Sequence, residues 1–311
     1  MTAAELSELG AIAECLATMA PGGESGGADA EVWLDELVEA RLPELAPDAI
    51  LQHFAAVPGR PEHALWRRVP AQGVSGLAFA MGSPSEEEGH AADEALVPVR
   101  LGAPFLVMAS AVSFGQWRRF AGNAAHAARW GEDPLFPVTH VDWFLACLFA
   151  HWLNHSRRRQ PGVWADLLGG DWPDHRFALP SEAQRECFAR AGTGTRFWSG
   201  DREVDLARVA WFAGNSGDRL HRVAGKEANA LGVFDVHGNV WEWCRDRYRD
   251  ELRGGLDPLE LERGLGRVLR GGSFREVARR CRAAYCYWFE PEESWDDIGF
   301  RLVLTAARGP R

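Results

Sequence analysis

The chain has 311 residues, of which 46% are hydrophobic, and it carries a formal net charge of −10. This length can bury a full core in one large domain, or in one large and one small domain. The acidic balance argues against nucleic-acid binding, which needs a basic surface. No charged-then-apolar leader opens the chain, and the longest apolar stretches, near 103–114 and 141–153, are shorter than the roughly 20 residues of a membrane span. We therefore expect a cytoplasmic protein with no nucleic-acid and no membrane partner.

Residues 1–70 have the pattern of a small helical region. Apolar residues recur at helical spacing over 6–19 and again over 32–38. A third helix is predicted over Pro47–Phe54, because proline suits a first helical turn and the next residue is an aspartate. The segment PGRPEH, residues 58–63, is typical of a linker. We predict a boundary near residue 70 and a role for residues 1–70 as a structural cap or as the site of a protein partner.

Three amphipathic helices are predicted early in the second region, residues 71–311. Ser113 with Gln116, and Ser181 with Gln184, have the spacing of a capping box that begins a helix. Thr139 is predicted to cap the helix between them. The apolar stripe of that helix consists of Val141, Phe144, Leu145, Leu148 and Trp152. Beyond residue 192 the chain has few periodic runs, which indicates short strands joined by ordered loops and an α+β fold.

Eight sequence blocks, in order, carry a resemblance to a known family. They are FAMGSP (79–84), PVTHVDWF (137–144), ALPSEAQRECFARAG (178–192), WFAGNSG (211–217), GVFDVHGNVWEW (232–243), VLRGGSF (268–274), CRAAY (281–285) and IGFRLV (298–303). Together they resemble the formylglycine-generating enzyme family, also called the sulfatase-modifying factor family. The resemblance extends over about 230 of the 311 residues. It implies a C-type-lectin-like fold of the formylglycine-generating enzyme type for residues 71–311.

The resemblance implies either an oxidase or a scaffold that displays a binding surface. In the formylglycine-generating enzymes, two cysteines separated by four residues closely follow the GGS turn, bind copper and activate oxygen. Here residues 274–278, directly after that turn, contain no thiol. Cys281 and Cys286 have the same separation but belong to a later block. We therefore expect a non-catalytic protein without a redox cofactor; the alternative is a metal-dependent oxidoreductase of this family.

Other residues offer weaker redox-metal candidates. Related sulfoxide synthases hold iron with three histidines of an N-terminal helical bundle, whereas residues 1–70 contain only His53 and His63. His151 and His155 are four apart on a predicted helix, a spacing that can place two ligands on one face. No acidic residue at ligand spacing accompanies them, so we interpret the pair as surface residues. The cysteines at helical apolar positions, Cys147 and Cys187, are interpreted as buried thiols.

The DVHGNVWE block suggests a calcium site. Asp235 and Glu242 flank a tight turn at Gly238, where carbonyl oxygens can converge with carboxylates on a hard cation. The family resemblance implies a structural calcium ion. Its implied ligands are the side chains of Asp235 and Glu242 and the backbone oxygens of Gly238 and Val240. The alternative is that Glu242 pairs with an arginine, for which Arg245 and Arg270 are candidates.

Residues 274–298 alternate scaffold-like residues with chemically diverse ones. Aromatic residues and arginine beside acids are typical of binding hot spots. The arrangement RGGSF, CRAAY, IGFRLV is similar to the variable proteins of diversity-generating retroelements. We predict a face that binds a protein or small-molecule ligand, here called the 275–296 face. It consists of Arg275, Glu276, Val277, Tyr285, Tyr287, Trp288, Glu290, Glu293, Trp295 and Asp296. Of the three consecutive aromatics 287–289, one or two are expected to be buried.

Overall fold

The computed structural model of the protein describes residues 42–70, 77–170 and 172–306. The helices predicted over 6–19 and 32–38 lie outside the described residues. Within these ranges the helices are α1 (Pro47–Phe54), α2 (Phe114–Trp117), α3 (Ala124–Trp130), α4 (Trp143–Arg159), α5 (Pro161–Leu168), α6 (Glu182–Arg190) and α7 (Glu203–Val209). None of the helices described is long and apolar enough to cross a membrane.

Besides these helices, the structure contains short strands. They are β1 (Ala56–Val57), β2 (Arg60–Ala64), β3 (Trp66–Val69), β4 (Leu77–Met81), β5 (Val97–Leu101), β6 (Phe105–Met108), β7 (His175–Ala178), β8 (Trp241–Arg247), β9 (Gly255–Leu256), β10 (Arg267–Arg270), β11 (Cys286–Phe289), β12 (Ile298–Gly299) and β13 (Val303–Ala306). They assemble as the pair β1–β2, a three-stranded sheet β4–β5–β9 and two four-stranded sheets, β3–β6–β13–β7 and β11–β10–β8–β12. The last of these is called the C-terminal sheet below. The mixture of helices and short strands confirms the predicted α+β fold.

The C-terminal sheet positions the predicted face. Its strand β10 pairs antiparallel with both β8 and β11, and β12 runs parallel to β8. Leu269 lies opposite Trp243 on one side and Tyr287 on the other, so the three side chains share a face of the sheet. Leu269 and Trp243 are fully buried in the main core. Tyr287, on the outer strand, therefore lies where this core meets the surface.

Of the three helix starts predicted within residues 71–311, two are confirmed and one is wrong. Reciprocal capping boxes begin α2 and α6 as the sequence predicts. The helix assigned to a Thr139 cap instead begins at Trp143, because Asp142 accepts a hydrogen bond from the backbone N–H of Leu145 at 2.7 Å. Thr139 is fully buried, and its hydroxyl oxygen lies 3.0 Å from Nδ1 of His126. The carboxylate closest to the helix thus provides the cap.

The 17 residues of α4 carry the predicted apolar stripe into the core. Phe144, Leu148 and Trp152 are buried, while Leu145 is half-buried and Val141 lies before the helix. The indole N–H of Trp143, at its first turn, donates to the carbonyl of residue 244 on β8 at 2.8 Å. This bond ties the first turn of α4 to the C-terminal sheet, and the stripe packs into the main core.

Residues 42–70 pack into the same core. The helix predicted over Pro47–Phe54 is confirmed, and Phe54 lies 5.8 Å from Trp164 between ring centroids. The prediction of a linker over 58–63 is wrong, since β2 pairs with β1 in an antiparallel hairpin. Gly59 adopts a φ of 75° in the turn, so the proline and glycine close a hairpin rather than mark a flexible segment. The domain boundary near residue 70 stays a prediction.

The chain contains a single lysine, and it is packed against an aromatic stack. The rings of Trp211 and His221 are parallel, with centroids 3.7 Å apart. The ammonium nitrogen of Lys226 lies 4.1 Å from the centre of the Trp211 ring and donates to the carbonyl of Ala207. Burial lowers the pKa of Lys226, although the negative charge of Asp235 acts in the opposite direction. This amine is therefore half-buried, and it lies far before β11 in the sequence.

Candidate functional site

The 275–296 face lies at the surface of the molecule. Val277, Tyr287 and Trp295 are exposed at 49%, 38% and 52%, and Arg275 and Glu290 are exposed as well. The remaining predicted residues are half-buried: Glu276, Tyr285, Trp288, Glu293 and Asp296. None of these ten side chains is enclosed in the core. All of them are accessible, wholly or in part, to a partner.

Aromatic rings form a continuous row across this face. Tyr285 and Tyr287 each lie 6.0 Å from Trp241 between ring centroids. Tyr287 meets Phe289 edge-on at 5.3 Å, and Phe289 lies 6.3 Å from Trp295. These five residues are called the aromatic row. Because Trp241 is buried, the row is continuous with the core beneath it, and its exposed rings are held in place by packing.

The three consecutive aromatics alternate between the two sides of β11. Tyr287 and Phe289 belong to the aromatic row, whereas Trp288 stacks on Tyr248 at 6.0 Å on the other side. Trp288 and Phe289 are half-buried, so neither reaches the burial that the sequence predicts for one or two of these rings. The physical reason is that β11 is an outer strand, and each ring has a neighbouring strand on one side only.

Charged partners hold Arg275 and Asp296 in fixed positions. Both terminal nitrogens of Arg275 donate to Asp296, and its Nε lies 3.2 Å from a carboxylate oxygen of Asp218. Arg129, from α3, donates to Asp296 at 2.8 Å. Burial acts to raise the pKa of Asp296, but the hydrogen bonds from Arg275 and Arg129 outweigh it and the pKa is lowered. The loop after β11 is thereby tied to α3 and to the loop after β10.

The chain directly after β11 is acidic. Glu290 and Glu292 are exposed, and Glu293 accepts a hydrogen bond from the indole N–H of Trp295 at 2.7 Å. In the described ranges none of the three glutamates forms an ion pair. Asp142 lies close to them: burial raises its pKa to about 6, and the charge of Glu292 acts in the same direction. The segment 290–293 therefore carries three negative charges, while Arg280, which pairs with Glu276, lies near Tyr285 and Tyr287.

The predicted calcium ligands do not fit a calcium ion in this arrangement. Glu242 is fully buried, and its two carboxylate oxygens accept hydrogen bonds from Nε of Arg185 at 2.7 Å and from Nε and Nη2 of Arg301 at 2.7–3.0 Å. These groups occupy the lone pairs of Glu242 and place two positive charges beside it. Asp235 accepts from the N–H of Ala224 at 2.6 Å, while its Oδ1 is buried without a hydrogen-bond partner.

The turn itself is as the sequence predicts. Gly238 has a φ of 70°, and a Cβ there would collide with the carbonyl oxygen of Trp211, so glycine is required. Val240 is buried in a small apolar cluster. Across the parts of the chain that the structure describes, no group of three or more His, Cys, Asp or Glu residues could hold a metal ion. Because arginines already bind Glu242, we expect no calcium ion at this turn, and measurement in solution tests that expectation.

An arginine–carboxylate network links α6 to the C-terminal sheet. The alternative of an arginine partner for Glu242 is right in kind, but the partners are Arg185 and Arg301. On the same helix, Glu186 pairs with Arg190 at 2.7 Å and with Arg270 of β10. Burial acts to raise the pKa of Glu242, but the two guanidiniums outweigh it and the pKa is lowered. Residues from several of the eight sequence blocks thus meet in a charged, fully enclosed centre, called the ionic core below.

The structure places Cys281 and Cys286 in different apolar clusters. Cys281 packs near Phe197, whereas Cys286 packs with Cys244 and Val268. Burial raises the pKa of both thiols well above their ordinary value, so neither is a thiolate near neutral pH. A copper-binding pair would need two soft thiolates at close approach.

The remaining candidate ligands are distributed over two helices. His151, His155 and Cys147 are half-buried on α4, and Cys187 is buried on α6. The interpretation of Cys187 as a buried thiol is therefore confirmed. The two histidines are less exposed than the sequence predicts, because α4 is covered on one side by the core and on another by neighbouring segments.

Sequence reasoning missed three residues that organise the site. Arg301 lies between apolar residues in IGFRLV, and a charged residue in such a run needs a buried partner; this signal could have identified it. Trp241 gives no signal of its position under the aromatic row. Arg129 reaches Asp296 across 167 positions of sequence, and no local pattern predicts that contact.

Comparison with known proteins identifies related sequences. Residues 72–306 match the Sulfatase-modifying factor enzyme 1-like domain. The formylglycine-generating enzyme of Streptomyces coelicolor is 28% identical, over 75% of this chain and 88% of that protein.

Two solved structures are also similar to this chain. Variable protein 1 of Treponema denticola superposes with a TM-score of 0.60 and 25% identity, over 77% of this chain and 94% of that chain. PvdO from Pseudomonas aeruginosa superposes with a TM-score of 0.59 and 25% identity, over 74% of this chain and 92% of that chain. Both similarities extend over most of the described residues.

Proposed function

Given that the chain belongs to the family with the Sulfatase-modifying factor enzyme 1-like domain, we propose that it is a non-catalytic binding protein that holds a protein partner on its 275–296 face. The observation that carries this proposal is the aromatic row, which is rooted in the core through Trp241 yet exposed at Tyr287 and Trp295. Exposed rings that packing already orders lose little side-chain freedom on binding. They are therefore suited to act as binding anchors.

The polar residues of the face support the same proposal. Arg275 and Asp296 are fixed by ion pairs to α3 and to neighbouring loops, so their positions are set before a partner arrives. Preorganised charges favour specificity and fast association. The likeness to a variable protein supports the same use of this region. We place this function in the cytoplasm, in keeping with the free thiols found throughout the described ranges.

A comparison of matched surface variants tests the proposal. Val277→Ala and Trp295→Ala remove exposed side chains from the face, and Leu256→Ala removes one that is 63% exposed on β9, outside it. We expect all three to change stability by less than about 0.5 kcal/mol. A partner isolated from the native host and then titrated as a purified protein should bind the Leu256→Ala variant normally and the two face variants weakly.

Two results would contradict this proposal. Equal binding by all three variants would place the partner elsewhere. Unfolding of Val277→Ala and Trp295→Ala, with no binding to lose, would show that these side chains are structural.

The alternative function is an oxidoreductase, which the similarity to a formylglycine-generating enzyme favours. It requires thiols that reach one another, whereas Cys281 and Cys286 lie in separate clusters. Incubation with copper and a cysteine-containing sulfatase peptide should therefore consume no oxygen. Turnover that Cys281→Ser or Cys286→Ser abolishes would establish the oxidoreductase instead.

A further inference from the structure

The outer strand of the C-terminal sheet has an unprotected edge. β11 pairs only with β10, so its outward row of backbone N–H and C=O groups has no strand partner in the ranges that the structure describes. Its four residues, Cys286–Phe289, include no charge and no proline. Proteins usually protect exposed edges with such residues or with bulges. By contrast, the outer strands β3 and β7 of the other four-stranded sheet carry arginines.

Aromatic rings extend from both sides of this edge. Tyr287 and Phe289 lie on one side, and Trp288 with Tyr248 lies on the other. An extended segment added along β11 would direct its side chains alternately to these two sides. Backbone hydrogen bonds would give it affinity, and the rings would contact alternate side chains. The edge therefore has the features needed to take up a further strand.

The charges next to β11 indicate what kind of segment would bind along this edge. Glu290, Glu292 and Glu293 follow β11 directly, and Asp142 lies near Glu292. The chain as a whole carries a net charge of −10. A second copy would carry the same net charge of −10, and like charges at an interface are unfavourable. Lysine and arginine side chains would instead meet both carboxylates and aromatic faces.

We propose that β11 takes up an extended, lysine- or arginine-rich segment of the protein partner, which adds to the C-terminal sheet as an outer strand. This inference rests on the proposed function, since it specifies the chemistry of the partner on the same face. The aromatic row and Trp288 flank the added strand, and the three glutamates favour a strand with positive charge.

Synthetic peptides of defined chemistry test the inference. The probe is an alternating lysine–threonine peptide of about eight residues, slightly longer than an average strand. The comparison peptides have glutamate in place of lysine, or N-methyl groups on every second backbone nitrogen. Binding is followed by fluorescence anisotropy of a labelled peptide. We expect the lysine peptide to bind at least about tenfold more tightly than the glutamate peptide at low salt. That preference should shrink at high salt, and N-methylation in the register that faces β11 should abolish binding.

Variants of the protein locate the effect. Tyr287→Lys adds a positive charge at the edge, and Leu256→Lys adds the same charge on β9 as a matched control. We expect the first to weaken binding of the lysine peptide at least about tenfold and the second to leave it unchanged. The triple variant Glu290→Gln, Glu292→Gln, Glu293→Gln should remove the preference for lysine over glutamate.

Three outcomes overturn the inference. They are no binding of the lysine peptide, equal binding of its N-methylated forms in both registers, and a dimer that Tyr287→Lys dissociates in sedimentation. If Tyr287→Lys leaves the natural partner bound while Trp295→Ala releases it, the face binds its partner without strand addition. The proposed function then stands and this inference fails. Should Tyr287→Lys prove unstable, the N-methylated peptides still decide the question with the unaltered protein.

Discussion

The interior of the C-terminal sheet and its outer strand use their side chains in opposite ways. Inside, charged residues are fully enclosed and meet carboxylates, as Arg301 and Arg185 meet Glu242. At β11, aromatic residues that could fill a core are instead left partly exposed. Residue type alone therefore does not determine whether a side chain of this fold is buried or exposed. The ionic core places charges in the centre, and strand β11 places apolar rings at the surface.

The largest expected effect comes from breaking the ionic core. Glu242→Ala leaves Arg185 and Arg301 buried without their carboxylate, and loss of one partner of a buried pair typically destabilises a protein by about 3–5 kcal/mol. Urea unfolding measures the change. The control is Glu227→Ala, which removes an ion pair with Arg208 between two exposed side chains and should have an effect below about 1 kcal/mol. Similar effects from the two substitutions would show that the ionic core contributes no more than a surface pair.

The next effect separates the base of the aromatic row from its exposed end. Trp241→Ala removes a buried indole and should destabilise the protein by about 3–5 kcal/mol. Tyr287→Ala, on the same row, should change stability by about 1 kcal/mol or less because its ring is partly exposed. Thermal melts of the two variants give the comparison. Equal loss of stability would mean that Tyr287 is as much a part of the core as Trp241.

A smaller effect concerns pH. His237 is buried, with Nδ1 2.7 Å from the carbonyl of Cys281 and Nε2 accepting from the N–H of Trp198. Burial, with a smaller contribution from the charge of Arg185, lowers its pKa to about 3. Below about pH 6.5 the His237 imidazole therefore binds a proton in the unfolded chain but not in the folded state. This contribution to stability is complete above that pH and is lost as the pH falls toward 3, by about 1.4 kcal/mol per unit.

Unfolding measured between pH 4 and 6 tests this assignment. His237→Gln should reduce the proton uptake on unfolding by about one. Asp142→Asn is the control of opposite sign: the pKa of Asp142 is raised to about 6, so the folded state holds the extra proton between that value and 3.8. Removing it should increase the proton uptake. An unchanged slope in His237→Gln would show that the imidazole is protonated in the folded protein.

The smallest expected effect is that of metal removal. Since the arginines already neutralise Glu242, a chelator should leave the melting temperature unchanged. Added calcium should likewise have no effect, because only a ligand that binds the folded state raises stability by mass action. If a chelator lowered the melting temperature of the native protein but not that of the Glu242→Ala variant, the result would support a calcium site, with Asp235 as its second carboxylate.

Much of the fold could be predicted because its signals are local. The capping boxes of α2 and α6 require residues three positions apart, and the sequence blocks identify the α+β fold directly. The helix start at Trp143 was missed because two suitable cap residues, Thr139 and Asp142, lie three positions apart, and only the structure shows which one contacts Leu145. The hairpin at 58–63 was missed since proline and glycine occur in linkers and in tight turns alike.

The site was less predictable because its arrangement depends on distant contacts. Composition predicts that the ten residues of the 275–296 face are accessible, and in the structure they are exposed or half-buried, while their role in binding stays a prediction. The partners of Glu242 lie 57 and 59 positions away, so spacing could not choose between arginines. The position of β11 at the edge of its sheet depends on strand order, which no local pattern specifies.

The single lysine has a practical consequence for capturing a partner. Lys226 is covered by the Trp211 ring and by a bond to Ala207, and it is absent from the 275–296 face. Amine-reactive cross-linkers on this chain therefore have no lysine from which to trap a molecule bound at β11. Reagents that activate carboxylates would instead react with Glu290 and Glu292, which are exposed beside the strand. A covalent bond between one of these glutamates and a lysine of the bound segment would then identify the residues of the partner that lie beside β11.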